Sequence, residues 1–265
     1  DAHGFHSQGP LAIGHRRLKI MDLAEASGQP MIDSDLGMSM VFNGAIYNYP
    51  ELRTELETLG YRFFSGGDTE VILKAWHAWG EACVSRFHGM FAFVIHERDT
   101  GRVVMARDRF GIKPLYLAEV SGGLRFASSL PALVKAGGVD TAIDVTALHH
   151  YMTFHAVVPP PRTIYKGARK LPPATIRVYE PDGSFEDKRY WDPAYTRRAE
   201  DARMTREDWQ EQLLDALGVA RDAGYERSID SHIKSVRAKL RLVAANAEPI
   251  QTHRGLGYSH SPSHS

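Results

Sequence analysis

Short apolar runs closed by Gly, Asp or Pro punctuate the first half of the chain: Met38 to Phe42, Phe91 to Ile95, Val103 to Ala106, Leu115 to Ala118 and Leu124 to Ala127. Runs of this length, rich in β-branched and aromatic side chains, predict strands separated by turns. Two stretches keep a longer period. Leu52, Leu56 and Leu59 recur at i, i+4 and i+7, after Pro50, which suits a first helical turn, and before Gly60, which suits a stop. A second helix is predicted from Thr69 to Trp79, with Asp68 as N-cap and Gly80 at its end. Strands so close in sequence, with so few helices between them, cannot all be parallel, because each parallel pair needs a crossover. The pattern predicts an α+β domain with largely antiparallel sheet.

Beyond Ala136 the texture changes. Pro159, Pro160, Pro161, Pro172 and Pro173 mark a connector reaching to about Trp191, with a hairpin turning at Pro181, Asp182 and Gly183. Residues 197–206 are polar, and Thr205 caps a predicted helix to Leu217 with Leu213, Leu214 and Leu217 on one side. After Gly218 and Gly224, Ile229, Ile233, Val236 and Leu240 form one apolar stripe, ringed by Lys234, Arg237, Lys239 and Arg241. Ile250 to Tyr258, with Gly255 and Gly257, predicts strand, turn and strand, and the tail from Ser259 has nothing to pack. The expected divisions are therefore 1–135, 136–217 and 218–265.

Composition removes several classes. With 265 residues, 43% hydrophobic and 24% charged, the chain is neither collagen-like, coiled-coil nor disordered. Lys plus Arg and Asp plus Glu both number 32, so no bulk field draws it to nucleic acid or membrane. The balance is uneven, however: residues 221–258 hold seven Lys or Arg against four Asp or Glu, so a basic tail follows an acidic body. Cys83 is the one cysteine, which excludes an internal disulfide framework and a cysteine-rich zinc site and fits a reducing cytoplasm. No apolar run reaches the ~18 to 20 residues that span a bilayer. The opening residues have no signal-peptide pattern and no initiator Met, so a cytoplasmic fragment without a membrane partner is expected. His3 with His6, His149 with His150 and the terminal histidines share no helix face with carboxylates at fixed offsets, so no metal site is expected.

Five motifs carry the chemistry: GHRRLKI at 14–20, FNGAIYN at 42–48, GDTEVI at 67–72, GMFAF at 89–93 and RDRFGIKPLY at 107–116. In this order and spacing they closely resemble the glutaminase domain of the asparagine synthetase family, a class II glutamine amidotransferase of the N-terminal nucleophile type, over residues 1 to about 217. The resemblance implies a four-layer αββα sandwich. It also implies that glutamine is the partner, that its ammonia is released, and that a synthetase domain uses ATP and magnesium to activate the carboxylate which the ammonia attacks. Arg17 matches the arginine that holds the glutamine carboxylate, where a planar two-pronged guanidinium is suited, and Asp68 the aspartate that pairs with the ammonium. Asn43 and Gly44 match the pair that stabilises the tetrahedral oxyanion, one by a side-chain amide and one by a backbone N–H. Plainer explanations stand beside these: a surface ion pair for Arg17, an N-cap for Asp68 and a strand-ending turn for Asn43 and Gly44. Arg107, Asp108, Lys113 and Pro114 are expected to serve sheet architecture and a domain interface.

The departures from the family matter as much. Ala45 stands where the family usually has Glu, and with the segments at 147–164 and 170–175 this resembles the N-acetylglutaminylglutamine amidotransferases, which make a dipeptide amide. The family's nucleophile is a mature N-terminal cysteine whose own α-amino group serves as base. Asp1 cannot act so; it resembles the last residue of a family motif that follows the nucleophile, and Cys83 is expected to be buried packing. SGGDT at 65–69 imitates the synthetase ATP loop but is one residue short and falls in the glutamine pocket, so no cofactor is expected to bind this chain.

Residues 227–240 and 249–258 resemble the end of the winged-helix output domain of OmpR/PhoB-class response regulators, a recognition helix followed by a wing. That resemblance implies DNA as a partner, with Ser231, His232, Lys234, Ser235, Arg237 and Arg254 as contacts; a solvated basic helix face is the plainer reading. The expectation is a fragment of an ATP-dependent glutamine-hydrolysing amidotransferase, inactive by itself. The alternative is a DNA-binding regulator. The sequence sets no oligomeric state.

Overall fold

The computed structural model describes residues 2–17, 24, 27–194, 200–216, 250–253 and 257–260. The chain divides into two compact units, Asp1–Pro193 and Ala194–Ser265. In the first, a six-stranded sheet runs in the order β11 (Phe185–Arg189), β10 (Thr175–Tyr179), β6 (Val103–Arg107), β5 (Gly89–Glu97), β4 (Met38–Ile46) and β3 (Met31–Asp33). Each neighbouring pair is antiparallel.

Because successive side chains of a strand point to opposite faces, this sheet feeds two cores. Met40, Phe42, Phe91, Phe93, Ile95, Val104 and Ile176 pack with Leu52 and Leu56 of α1 (Tyr49–Thr58), Val71, Ile72 and Ala75 of α2 (Asp68–Trp79) and Cys83 and Val84 of α3 (Cys83–Arg86). Val41, Ala92, Val94 and Met105 face the other way and meet Ile13, Leu115, Leu117 and Leu171. Leu117 belongs to β7 (Tyr116–Val120), the centre of a three-stranded sheet between β8 (Gly123–Ala127) and β9 (Arg169–Lys170). The far face of that sheet carries Ala118, which packs with Leu133 of α4 (Leu130–Lys135) and Ala168. The layers are helix, sheet, sheet and helix, so the αββα arrangement follows from strand alternation.

Several local expectations are corrected. Gly67, not Asp68, occupies the N-cap position of α2, with no side-chain cap bond; the Asp68 carboxylate instead accepts from the Ile46 N–H at 3.0 Å. Helix α1 ends at Thr58, so Leu59 falls off its buried stripe and is 58% exposed. The stretch read as a connector builds much of the first unit: it contributes β9, β10 and β11, and α5 (Val145–Thr153), whose cap Asp144 accepts from Ala147 N at 3.1 Å. The hairpin turn predicted at Pro181 to Gly183 does join β10 to β11. A hairpin of β1 (Ala2–Gln8) and β2 (Leu11–Arg17), absent from the pattern reading, opens the chain.

In the second unit, α6 (Arg206–Ala216) begins with a reciprocal cap: Asp208 N–H donates to Thr205 Oγ1 at 3.2 Å, and Thr205 N–H to Asp208 Oδ2 at 2.7 Å. Strands β12 (Ile250–His253) and β13 (Gly257–His260) pair antiparallel, as strand, turn and strand require. The expected DNA contacts Ser231, His232, Lys234, Ser235, Arg237 and Arg254 lie outside the described residues.

Cys83 is fully buried at the start of α3, and burial pushes its thiol pKa well up. A thiol reagent is expected to label the native chain at least about 100-fold more slowly than free cysteine, because it waits for an opening that also permits ionisation. Rapid labelling by a chromogenic disulfide without denaturant would contradict this placement.

Candidate active site at the free edge of β4

β5 borders β4 along its whole length, but β3 pairs with it only as far as Met40. From there to Ile46 the outer edge of β4 pairs with no strand among the described residues. Backbone groups of an antiparallel strand alternate in direction, and Tyr47 N–H donates to His88 O at 2.7 Å. Odd-numbered residues therefore look toward β5, and Phe42, Gly44 and Ile46 look away from it. Outward groups this close to a core need other partners. Phe42 N–H donates to Gln29 Oε1 at 2.7 Å, and Phe42 O accepts from His15 Nε2 at 3.0 Å. Ile46 N–H is taken by Asp68. Gly44 stands between these two capped positions, and the ladder supplies its N–H with no acceptor.

Gly44 is glycine for a steric reason. A Cβ there would lie 2.1 Å from Met90 O and 2.8 Å from Phe91 Cα. Gly89 has the converse problem, since a Cβ would lie 2.1 Å from Ala45 O. The two strands approach through this glycine pair. Asn43, one residue earlier, is half-buried on the face that carries Val41, and its side chain has no hydrogen bond among the described residues. An uncommitted amide and an outward N–H on successive residues make a donor pair suited to a carbonyl oxygen that gains charge.

The loop before α2 is held from within. Glu70, fully buried, accepts from Phe64 N–H at 3.0 Å and from Ser65 N–H and Oγ, both at 2.7 Å, and pairs with Lys74 at 2.7 Å. Asp68 is 5% exposed at the end of this loop, two residues beyond Gly44 across the Ile46 bond. In SGGDT the Ser65 N–H and Oγ are spent on Glu70, and two buried carboxylates, Asp68 and Glu70, stand in the first turn of α2. Among the described residues no cluster of three or more His, Cys, Asp or Glu could hold a metal ion, and no helix is long and apolar enough to cross a membrane.

Three of the expected residues, Asn43, Gly44 and Asp68, are thus brought to one edge. Arg17 ends β2 with its backbone opposite Ala2; its side chain lies outside the described residues. His15 and Gln29 escaped the sequence reading, although His15 sits inside GHRRLKI. Arg107 and Asp108 do serve architecture. Arg107 donates to Lys113 O, Leu171 O and Gly111 O at 2.6–2.7 Å, and burial lowers its guanidinium pKa against the opposing effect of Asp108. Asp108 accepts from the N–H groups of Phe91, Phe110, Ile112 and Lys113.

Comparison with known proteins matches residues 1–191 to the glutamine amidotransferase domain and residues 209–260 to the C-terminal domain of transcriptional regulatory proteins. The chain has relatives among asparagine synthetases. Asparagine synthetase (glutamine-hydrolyzing) 1 of Bacillus subtilis is 40% identical over 191 residues, 72% of this chain and 30% of that protein. A putative asparagine synthetase (glutamine-hydrolyzing) of Mycobacterium tuberculosis is 43% identical over 173 residues, 62% of this chain and 26% of that protein. The chain therefore spans less than a third of the length of either. Among solved structures, the glutamine phosphoribosylpyrophosphate amidotransferase of B. subtilis is similar at 20% identity and a TM-score of 0.47, over 68% of this chain and 35% of that one.

Proposed function

This chain belongs, through residues 1–191, to the glutamine amidotransferase domain family, with asparagine synthetases among its relatives, and on that premise we propose that the free edge of β4 binds L-glutamine. The observation that carries the reading is the uncapped, outward Gly44 N–H, flanked by Asn43 and by the buried Asp68. Arg17 holds the α-carboxylate, Asp68 the α-ammonium, and Asn43 Nδ2 and Gly44 N–H receive the side-chain carbonyl oxygen. As a nucleophile adds to that carbon, the oxygen becomes an anion, and each preorganised donor contributes ~3 kcal/mol to the transition state.

The nucleophile is another matter. Cys83 is fully buried in the helix-side core, and burial disfavours its thiolate. Residues 1–265 accordingly supply recognition and oxyanion donors without an attacking thiol, and the 265-residue chain binds glutamine but releases no ammonia from it. Calorimetry tests both halves. Wild type shows saturable heat with L-glutamine and no ammonia accumulates; Asp68→Asn, which keeps an oxygen for Ile46 N–H but loses the charge, binds at least about tenfold more weakly. Unchanged affinity in that variant contradicts the assigned role.

The parent activity on this reading is ATP-dependent amide synthesis, and Ala45 with the segments 147–164 and 170–175 favours a dipeptide acceptor. An acceptor assay on a longer protein containing this segment decides, since turnover of aspartate alone overturns the dipeptide choice. A second reading has its own support in the match of residues 209–260 to regulator C-terminal domains. It assigns DNA binding to residues 227–258, weakening with salt and lost in Arg237→Ala; gel shifts that ignore both sink it.

A further inference from the structure

Phe42 is where two side chains complete what the sheet leaves open. His15 Nε2 donates to its carbonyl oxygen and Gln29 Oε1 accepts from its N–H. His15 lies two residues before Arg17 on β2, and Gln29 lies just ahead of β3. Gln29 is itself closely packed: its backbone carbonyl oxygen lies 2.2 Å from where a Cβ on Gly4 of β1 would sit. Two separate segments thus converge on the residue that precedes Asn43.

The consequence reaches Gly44. The two peptide planes that flank Gly44 each have one group turned to β5, Asn43 O and Ala45 N–H, while on the outer edge no strand among the described residues adds to that hold. The Phe42 carbonyl lies in the same peptide plane as the Asn43 nitrogen, so the His15 bond fixes the plane that leads into Asn43, and the Gln29 bond fixes the plane before it. Asp68 does the same for Ile46 on the other side. Orientation of the Gly44 N–H is therefore set by β5 on the inner side and by these side-chain bonds at both ends of the outer edge.

We infer that His15 and Gln29 are positioning residues, which aim the Asn43 amide and the Gly44 N–H at a side-chain carbonyl while holding neither the α-carboxylate nor the α-ammonium of the ligand. The inference rests on the glutamine reading above. It predicts that losing either side chain removes selectivity for the carbonyl rather than affinity in general.

L-norvaline separates the two, because it keeps the α-groups and the carbon chain but has no side-chain carbonyl. Calorimetry on the full chain with L-glutamine and L-norvaline is the test. Wild type prefers glutamine; His15→Ala and Gln29→Ala each lose about tenfold in glutamine affinity, the scale of one hydrogen bond, while norvaline binding stays within about twofold. His15→Gln, which keeps an N–H donor, and Gln29→Glu, which keeps an acceptor, retain the preference. If an alanine variant does not fold, Gln29→Met, similar in volume but without the acceptor, carries the same expectation. Equal loss for both ligands, or conservative variants as impaired as alanine, overturns the inference. Wild type without saturable glutamine binding overturns instead the reading on which it rests.

Discussion

Replacing Gly44 by alanine is expected to destabilise the chain by about 4 kcal/mol, near the upper limit for a single substitution. The added Cβ would enter the van der Waals shell of Met90 O and Phe91 Cα, at 2.1 and 2.8 Å. Both are backbone atoms of β5, the neighbour with which β4 pairs along its whole length, so no rotamer change relieves the clash. The strands must separate, and the Phe91 and Phe93 side chains of the main core move with them. Gly60→Ala is the control. That glycine also has positive φ, at 94°, but nothing lies within 4 Å of its Cβ position, so only conformational strain of about 1 kcal/mol is expected. Urea unfolding followed by circular dichroism compares the two; equal losses would mean that the close approach at Gly44 is wrong.

Asp108→Ala ranks second, at about 3–5 kcal/mol, because a buried acceptor is removed from several donors at once. The carboxylate is 1% exposed and receives N–H groups from Phe91, Phe110, Ile112 and Lys113 at 2.9–3.1 Å. Those bonds tie β5 to the turn that leads from β6 to β7. The full desolvation cost of four donors is not reached, since Phe110 and Ile112 are exposed and water can enter at that side. Asp108→Asn keeps one oxygen and is expected to lose about half as much. The same unfolding experiment reads this out, and a loss below about 1 kcal/mol for alanine would show that these bonds are replaced by solvent.

What the sequence disclosed tracks how far each feature depends on its neighbours in the chain. The runs at Phe91 to Ile95 and Val103 to Ala106 were legible because both faces are buried between layers, which gives continuous apolar strings. The β1–β2 hairpin was not, because its inward positions are half-buried and include Gly4, His6 and His15, with Ile13 alone fully enclosed. Helix α5 hid for the opposite reason: Val145, Leu148, Tyr151 and Met152 are apolar yet exposed, so no single stripe marks a core face. Asn43, Gly44 and Asp68 were singled out through motif resemblance, and the fold brings them to one edge. The local capping rule misplaced Asp68, because an unpaired N–H two elements away competes for its carboxylate. His15 and Gln29 could not be found from local pattern, since their role exists only because β3 stops pairing at Met40.

On the proposed reading, the uncapped edge of β4 receives the glutamine side-chain carbonyl. Amide resonances of the 15N-labelled 265-residue chain, followed during titration with L-glutamine, test it most directly. The Gly44 backbone N–H and the Asn43 side-chain NH2 are expected to shift together and saturate on one binding curve. Saturable shifts elsewhere that leave both Gly44 and Asn43 unmoved would contradict it.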